Sequence, residues 1–152
     1  MSARAAWRLE SLGFEHVYRY QPGKEDWHVA RLPMEGARAG IRSAADAARQ
    51  DVPTCGLRDP VAGVAEQVRA GDWPLAVVVD ERRIVLGRLR PRDLDAHPDA
   101  VAEDLMVEGP RTIRGTRAAT ELGRWLDERR VPGVLVTTAD GELVGYVRRD
   151  DV

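Results

Sequence analysis

The sequence predicts an α/β fold made of two tandem copies of one small unit, each a short sheet with helices. Three observations predict it. First, the chain repeats itself without a gap: at one constant offset Ala44, Asp46, Thr54, Pro74, Val78, Gly87, Arg90 and Asp93 fall on Ala102, Asp104, Thr112, Pro132, Val136, Gly145, Arg148 and Asp151. Second, each copy carries a helical apolar face followed by two short apolar runs around a polar turn. Third, 43% hydrophobic and 32% charged residues with 14 Gly and 9 Pro describe a folded domain, neither fibrous nor disordered. At 152 residues the chain has room for two small modules and none for a large enzyme with separate cofactor domains.

Residues 1–42 stand outside the repeat. There Arg38 to Arg42 is the expected linker, carrying no periodic apolar face. The first copy is residues 43–94. There Asp59 is the expected N-cap and Pro60 the first helical residue. Val61, Val64, Ala65 and Val68 share one face, and the helix ends near Gly71. The strand Leu75 to Val79, a turn at Asp80 to Arg83 and a returning strand Ile84 to Leu89 follow. In the second copy, residues 95–152, Leu122 and Leu126 mark the helix face. Val134 to Val136 and Leu143 to Val147 are the strands, and Asp140-Gly141 is a strong hairpin signal. In both copies a threonine, Thr54 or Thr112, opens the first strand.

The sequence Leu86-Gly87-Arg88-Leu89-Arg90-Pro91-Arg92-Asp93-Leu94 and its counterpart Val144 to Val152, with the threonine and the strand-opening proline upstream, resemble the CBS domain, which occurs in tandem pairs. Asp104-Leu105-Met106 before Pro110-Arg111-Thr112 resembles the short helix and Met that lead into such a domain. Within residues 1–36, Leu9 to Phe14, His16 to Tyr20 and Gly23 to Trp27, with Leu32-Pro33 and Glu35-Gly36, resemble the last helix, strand and helix of a rhodanese domain, without the upstream loop that carries the rhodanese cysteine.

The resemblance implies a regulatory module, not an enzyme, that binds an adenosine-containing ligand (AMP, ADP, ATP or S-adenosylmethionine) in a cleft between the repeats and associates as a homodimer. It needs no cofactor. The matching positions are Thr54, Pro74, Arg90 and Asp93 in one copy and Thr112, Pro132, Arg148 and Asp151 in the other. An ionised Asp can accept from both ribose hydroxyls through charge-assisted bonds. The alternative for Asp93 and Asp151 is a plain helix N-cap. Thr54 and Thr112 suit a ribose or phosphate contact or simply a strand, while Pro74 and Pro132 fix the backbone before strands that face adenine. Arg90 and Arg148 stand where the family has Ser or Thr, and either clamp phosphate or fill the cleft. Because Asp151 is penultimate, the Asp93 site ranks first. A ligand-free interaction module is the alternative, and a relic sulfurtransferase a more distant one.

Other classes are disfavoured. The net charge is −2, and the arginines alternate with acidic residues instead of forming a basic stripe, which argues against nucleic-acid binding. No apolar run reaches bilayer-spanning length, and the charged start lacks a secretory apolar stretch, so a cytoplasmic location is expected. Cys55, the only cysteine, sits within a strand as a small buried residue. His16, His28 and His97 show no metal spacing and are expected on the surface. Trp7 and Trp27 are expected to pack the N-terminal segment, and Trp73 and Trp125 to cover the cleft, a dimer surface or the core.

Overall fold

The computed structural model describes residues 3–18, 23–36 and 40–152. Two helices, α1 (Ala3–Ser11) and α2 (Gly23–Val29), precede the repeat. The first copy runs α3 (Ala44–Ala47), β1 (Thr54–Cys55), α4 (Val61–Ala70), β2 (Ala76–Val79), β3 (Val85–Leu89) and α5 (Pro91–Ala96). The second runs α6 (Ala102–Leu105), β4 (Val107–Glu108), β5 (Thr112–Arg114), α7 (Ala119–Arg129), β6 (Gly133–Thr137), β7 (Leu143–Arg148) and a closing 3₁₀ turn, Arg149–Asp151. The repeat offset carries Ala44–Ala47 onto Ala102–Leu105 and the starts of β1, α4 and β3 onto those of β5, α7 and β7.

The local chemistry repeats as well. Asp72 and Arg130, just past the paired helices, are both left-handed, at φ 49° and 51°. Arg83 and Gly141 in the paired hairpin turns are left-handed too, at φ 61° and 88°. Gly71, by contrast, caps α4 with φ −98°, so its lack of a side chain serves packing, not the turn. The expected cap at Asp59 is displaced by one residue: Pro60 is the N-cap, and the Asp59 carboxylate accepts from the Gly56 N–H at 2.7 Å, closing the turn before the helix.

The two sheets are mixed, in the orders β1-β2-β3-β4 and β5-β6-β7. β1 is parallel to β2 and β5 to β6, with antiparallel hairpins β2–β3 and β6–β7. The copies exchange their leading segments. β4 belongs to the second copy but pairs with β3 of the first, through Gly87 opposite Glu108 and Arg88 opposite Val107. At the equivalent place Arg49 of the first copy bridges to Tyr146 of the second. Likewise Ser43 bridges to Ala118 and Val101 to Pro60. The helix α3 therefore packs with Leu122, Leu126 and Val136 of the second copy, whereas Ala102 of α6 lies in the core with Val61, Val77 and Leu89 of the first. A pseudo-twofold axis passes near the antiparallel bridge between Ile84 and Glu142, which occupy equivalent positions in the two hairpin turns.

Ahead of the repeat, α2 rests on α3, and Arg31 donates to the Ala45 carbonyl at 3.2 Å. No strand lies at residues 16–18, and Arg19 and Tyr20 of the expected strand, like Arg38 of the expected linker, lie outside the described residues. Trp7 is 63% exposed instead of packing its segment, because among the described side chains of α1 it is Ala6 that turns fully inward. Trp27 donates its indole N–H to the Pro33 carbonyl. His16 and His97 are exposed, but His28 is half-buried, with Nδ1 3.3 Å from the Met34 sulfur and Nε2 buried without a partner.

Candidate functional site

The two strand-opening prolines meet. Pro74 and Pro132 line one cleft of about 370 Å³ between the repeats, within the range of small-molecule sites. Trp125, Val131 and Tyr146 add apolar and aromatic wall, while Arg88, Glu108 and Arg111 supply charge. Gly133 permits this arrangement: a Cβ there would stand 2.6 Å from the Tyr146 ring and 2.3 Å from the Val147 carbonyl oxygen. Arg88 and Tyr146 are equivalents under the repeat, each following the shared glycine, so they approach the axis from opposite copies.

Arg90 and Asp93 follow the strand that supplies Arg88, at the start of α5. Arg90 Nε donates to Asp93 Oδ2 at 2.5 Å, and Arg92 stands 3.5 Å from Oδ1. The Arg90 guanidinium beside Asp93 holds its carboxyl below the usual carboxylate range, with Arg92 adding to the effect. Neither aspartate is an N-cap. Pro91 occupies the first turn of α5, so Arg90 takes the cap position and Asp93 the third helical one. In the second copy Arg148 is the cap, and its N–H donates to Asp151 Oδ2 at 3.3 Å.

The two arginines then diverge. Arg148 reaches into the first copy, where Nη2 donates to the Gly71 and Asp72 carbonyls at 3.0 and 2.9 Å. Its guanidinium carbon lies 4.6 Å from the centroid of the Trp73 ring, and that of Arg49 4.7 Å. Such contacts contribute about 0.5–2 kcal/mol each, the more so where water is excluded, and Trp73 is only 5% exposed. Tyr146 meets the same indole edge-on, centroids 6.1 Å apart.

The threonines part company. Thr112 is exposed in a separate, more open hollow with Arg114, Thr137 and Gly141, where Arg114 donates to the Thr138 carbonyl. Thr54 is half-buried in β1 opposite Val77. Of the eight expected residues, the fold thus gathers the prolines in one cleft and joins each arginine to its aspartate. Arg88, Glu108, Arg111 and Tyr146 in the cleft wall went unsuggested by the sequence, although Arg88 and Tyr146 carried a signal in their shared place after Gly87 and Gly145.

Comparison with solved structures settles the architecture. The AMP complex of CBSX2 from Arabidopsis thaliana is similar over 69% of this chain and 87% of its own, at 23% identity and a TM-score of 0.59. The CBS-domain pair of the protein MJ0100, with 5′-methylthioadenosine and S-adenosyl-L-methionine, is similar over 73% and 92%, at 18% identity and a TM-score of 0.59. The fold is that of a CBS-domain pair. The cytosolic domain of the Mg²⁺ channel MgtE in complex with ATP is similar at 23% identity and a TM-score of 0.63, over 76% of this chain. The chain spans about half the length of the magnesium-transporter structures it matches. No family profile and no curated protein matches it.

None of these comparisons supports the rhodanese resemblance of residues 1–36. Burial, with the Asp59 charge adding to it, pushes the Cys55 thiol up to about 11, the opposite of what a sulfur-transfer nucleophile needs. Among the described residues no three His, Cys, Asp or Glu side chains gather as metal ligands. Among the described residues no helix is long and apolar enough to cross a membrane.

Proposed function

We propose that this CBS pair is a regulatory module that binds an adenosine-containing ligand, of the class of AMP, ADP, ATP or S-adenosylmethionine, in the cleft between its repeats. The observation that carries the reading is that cleft, with Pro74 and Pro132 in its walls, aromatic surface at Trp125 and Tyr146, and Arg88 and Arg111 for phosphate. Under the pseudo-twofold, Arg90 is the counterpart of Arg148, which lies on Trp73; Val131 is the counterpart of Trp73 and lines the cleft. Arg90 and Asp93 are not in the lining of the open cleft, and the pseudo-twofold supports a place for them beside it, Asp93 for the ribose hydroxyls and Arg90 for phosphate, with Thr54, Thr112, Arg148 and Asp151 kept as lesser candidates. Structurally similar CBS pairs bound to AMP, to ATP and to S-adenosyl-L-methionine support the ligand class.

The module signals through a second copy or a partner, for which the exposed Trp7, Leu12, Phe14 and Tyr18 ahead of the repeat offer apolar surface. The deciding experiment is a melting-temperature screen with millimolar AMP, ADP, ATP and S-adenosylmethionine. A ligand at a hundred times its Kd adds about 2.7 kcal/mol to the folded state. A rise with at least one is expected.

A ligand-free interaction module is the second reading, favoured by the arginines that already have partners, Arg90 on Asp93 and Arg148 on Trp73. No rise with any of the four compounds, together with a dimeric mass in light scattering at tens of micromolar, decides for it. A monomeric mass counts against the association that both readings use.

A further inference from the structure

A pair with a pseudo-twofold axis has two equivalent clefts, yet the chain keeps only one of them open. The repeat offset maps the open cleft's Val131, Val107 and Trp125 onto Trp73, Arg49 and Gln67. Where the open cleft has the small Val131, its counterpart holds the indole of Trp73, 5% exposed, with the guanidiniums of Arg49 and Arg148 over its ring and Tyr146 at its edge. The space for the indole is made by Gly71, where a Cβ would stand 2.4 Å from Trp73 Nε1. The offset maps that glycine onto Arg129, which lies over Trp125 at 4.9 Å instead. Arg148 locks the arrangement by bonding the Gly71 and Asp72 carbonyls, while its counterpart Arg90 is turned back onto Asp93.

We propose that Trp73 and Arg148 form a resident plug that occupies the counterpart of the open cleft, so that each chain takes up one ligand, in the cleft lined by Val131 and Trp125. A planar aromatic ring beneath a guanidinium is itself the chemistry by which a base and a cationic side chain meet. The plug satisfies, within the chain, a surface that the other cleft leaves for a ligand. This inference rests on the nucleotide reading for its ligand, and four substitutions, made as two double variants of the full chain, separate the two.

Calorimetric titration with ATP, repeated with AMP, is expected to give one site per chain in the wild type; two sites overturn the plug. Trp73→Val combined with Arg148→Ala, which copies the open cleft's valine and removes the lock, is expected to add a second site. A double variant that melts cooperatively and still binds no more than the wild type overturns the proposal. Should the double variant fail to fold, Val131→Trp with Val107→Arg puts the counterparts of Trp73 and Arg49 into the open cleft. It is expected to weaken ATP and AMP at least tenfold, and unchanged binding overturns the proposal. If the wild type takes up neither nucleotide, the nucleotide reading falls, and the plug stands or falls on whether the double variant gains a site.

Discussion

A side chain at Gly145 has nowhere to go: a Cβ there would stand 2.4 Å from the Arg49 carbonyl oxygen and 3.0 Å from its carbon, both backbone atoms. The matching Cβ at Gly87 would meet Met106, with Sδ at 2.8 Å, and a thioether can swing aside. Equivalent glycines thus face unequal neighbours. Gly145→Ala is expected to cost about 2–3 kcal/mol and Gly87→Ala about 1 kcal/mol, read from urea midpoints; equal costs would mean that the crossing at Arg49 tolerates displacement. Two buried groups make a further prediction. Burial pushes the Tyr146 hydroxyl up to about 12 and, with Asp59, the Cys55 thiol up to about 11. Folded values above the unfolded ones mean stability that is full below about pH 8.5–10 and is lost as pH rises through the folded values. The melting temperature should therefore fall between about pH 9 and 12, and Tyr146→Phe together with Cys55→Ala should flatten that fall. A slope unchanged in the double variant assigns the alkaline loss to other groups. At the Asp93 carboxylate, substitution by alanine should weaken nucleotide binding roughly ten- to a hundredfold if it accepts from ribose. Arg90→Ala should weaken ATP more than adenosine. Equal losses in calorimetry remove the phosphate role from Arg90.

At the scale of elements, what a sequence pattern encodes depends on whether the partner is near in the chain. The apolar faces of α4 and α7, the hairpin turns and the paired strands were legible because 3.6- and 2-residue periods and an Asp-Gly turn are local properties. The capping aspartates were not, since the residue that caps depends on where proline places the first turn. The exchange of leading segments left no local mark either. The pattern at Asp104 to Met106 announces a short helix, but nothing in it states that β4 will join β3 of the other copy. The open cleft was legible only as far as its prolines and Trp125, for its remaining wall is assembled from both copies across the axis. The segment before the repeat follows the same logic. Its contacts with the module include Val29 of α2, which would meet a Cβ on Gly115 at 2.7 Å, and Arg31 just past that helix, which reaches Ala45. Deleting residues 1–36 should lower the melting temperature by uncovering Ala45 and Gly115 while leaving nucleotide affinity intact, because the cleft is lined by residues 74–146. Loss of binding in a truncated chain that still melts cooperatively would tie the segment to the site.

For the whole molecule, the exchanged segments decide how the fold holds together. Each sheet is completed from the other copy, by Val107 beside Arg88 and by Arg49 beside Tyr146, and each leading helix is buried in the opposite core. Leu135, Leu143 and Tyr146 of the second copy even belong to the same cluster as Val77 and Leu89 of the first. The hairpins are also tied at the axis, where the Val85 N–H donates to Gly141 and the Leu143 N–H to Arg83, at 3.1 and 2.9 Å. A unit of about 50–60 residues is marginal even with a complete core, because its surface is large for its volume; a copy deprived of its partner's helix and strand has neither. Residues 43–94 and 95–152, prepared as separate peptides, should therefore each be unfolded by circular dichroism, and mixing them in equal amounts should restore structure. The intact chain should unfold in one transition that fluorescence and circular dichroism trace at the same urea concentration. A half that folds alone, or a biphasic transition in the intact chain, would show that the sequence repeat and not the exchanged pair is the cooperative unit. In that case ligand in the cleft would stabilise one half only. With a single cooperative unit, ligand bound between the copies raises the stability of both, which is how a cleft between the copies makes its occupancy felt across the module.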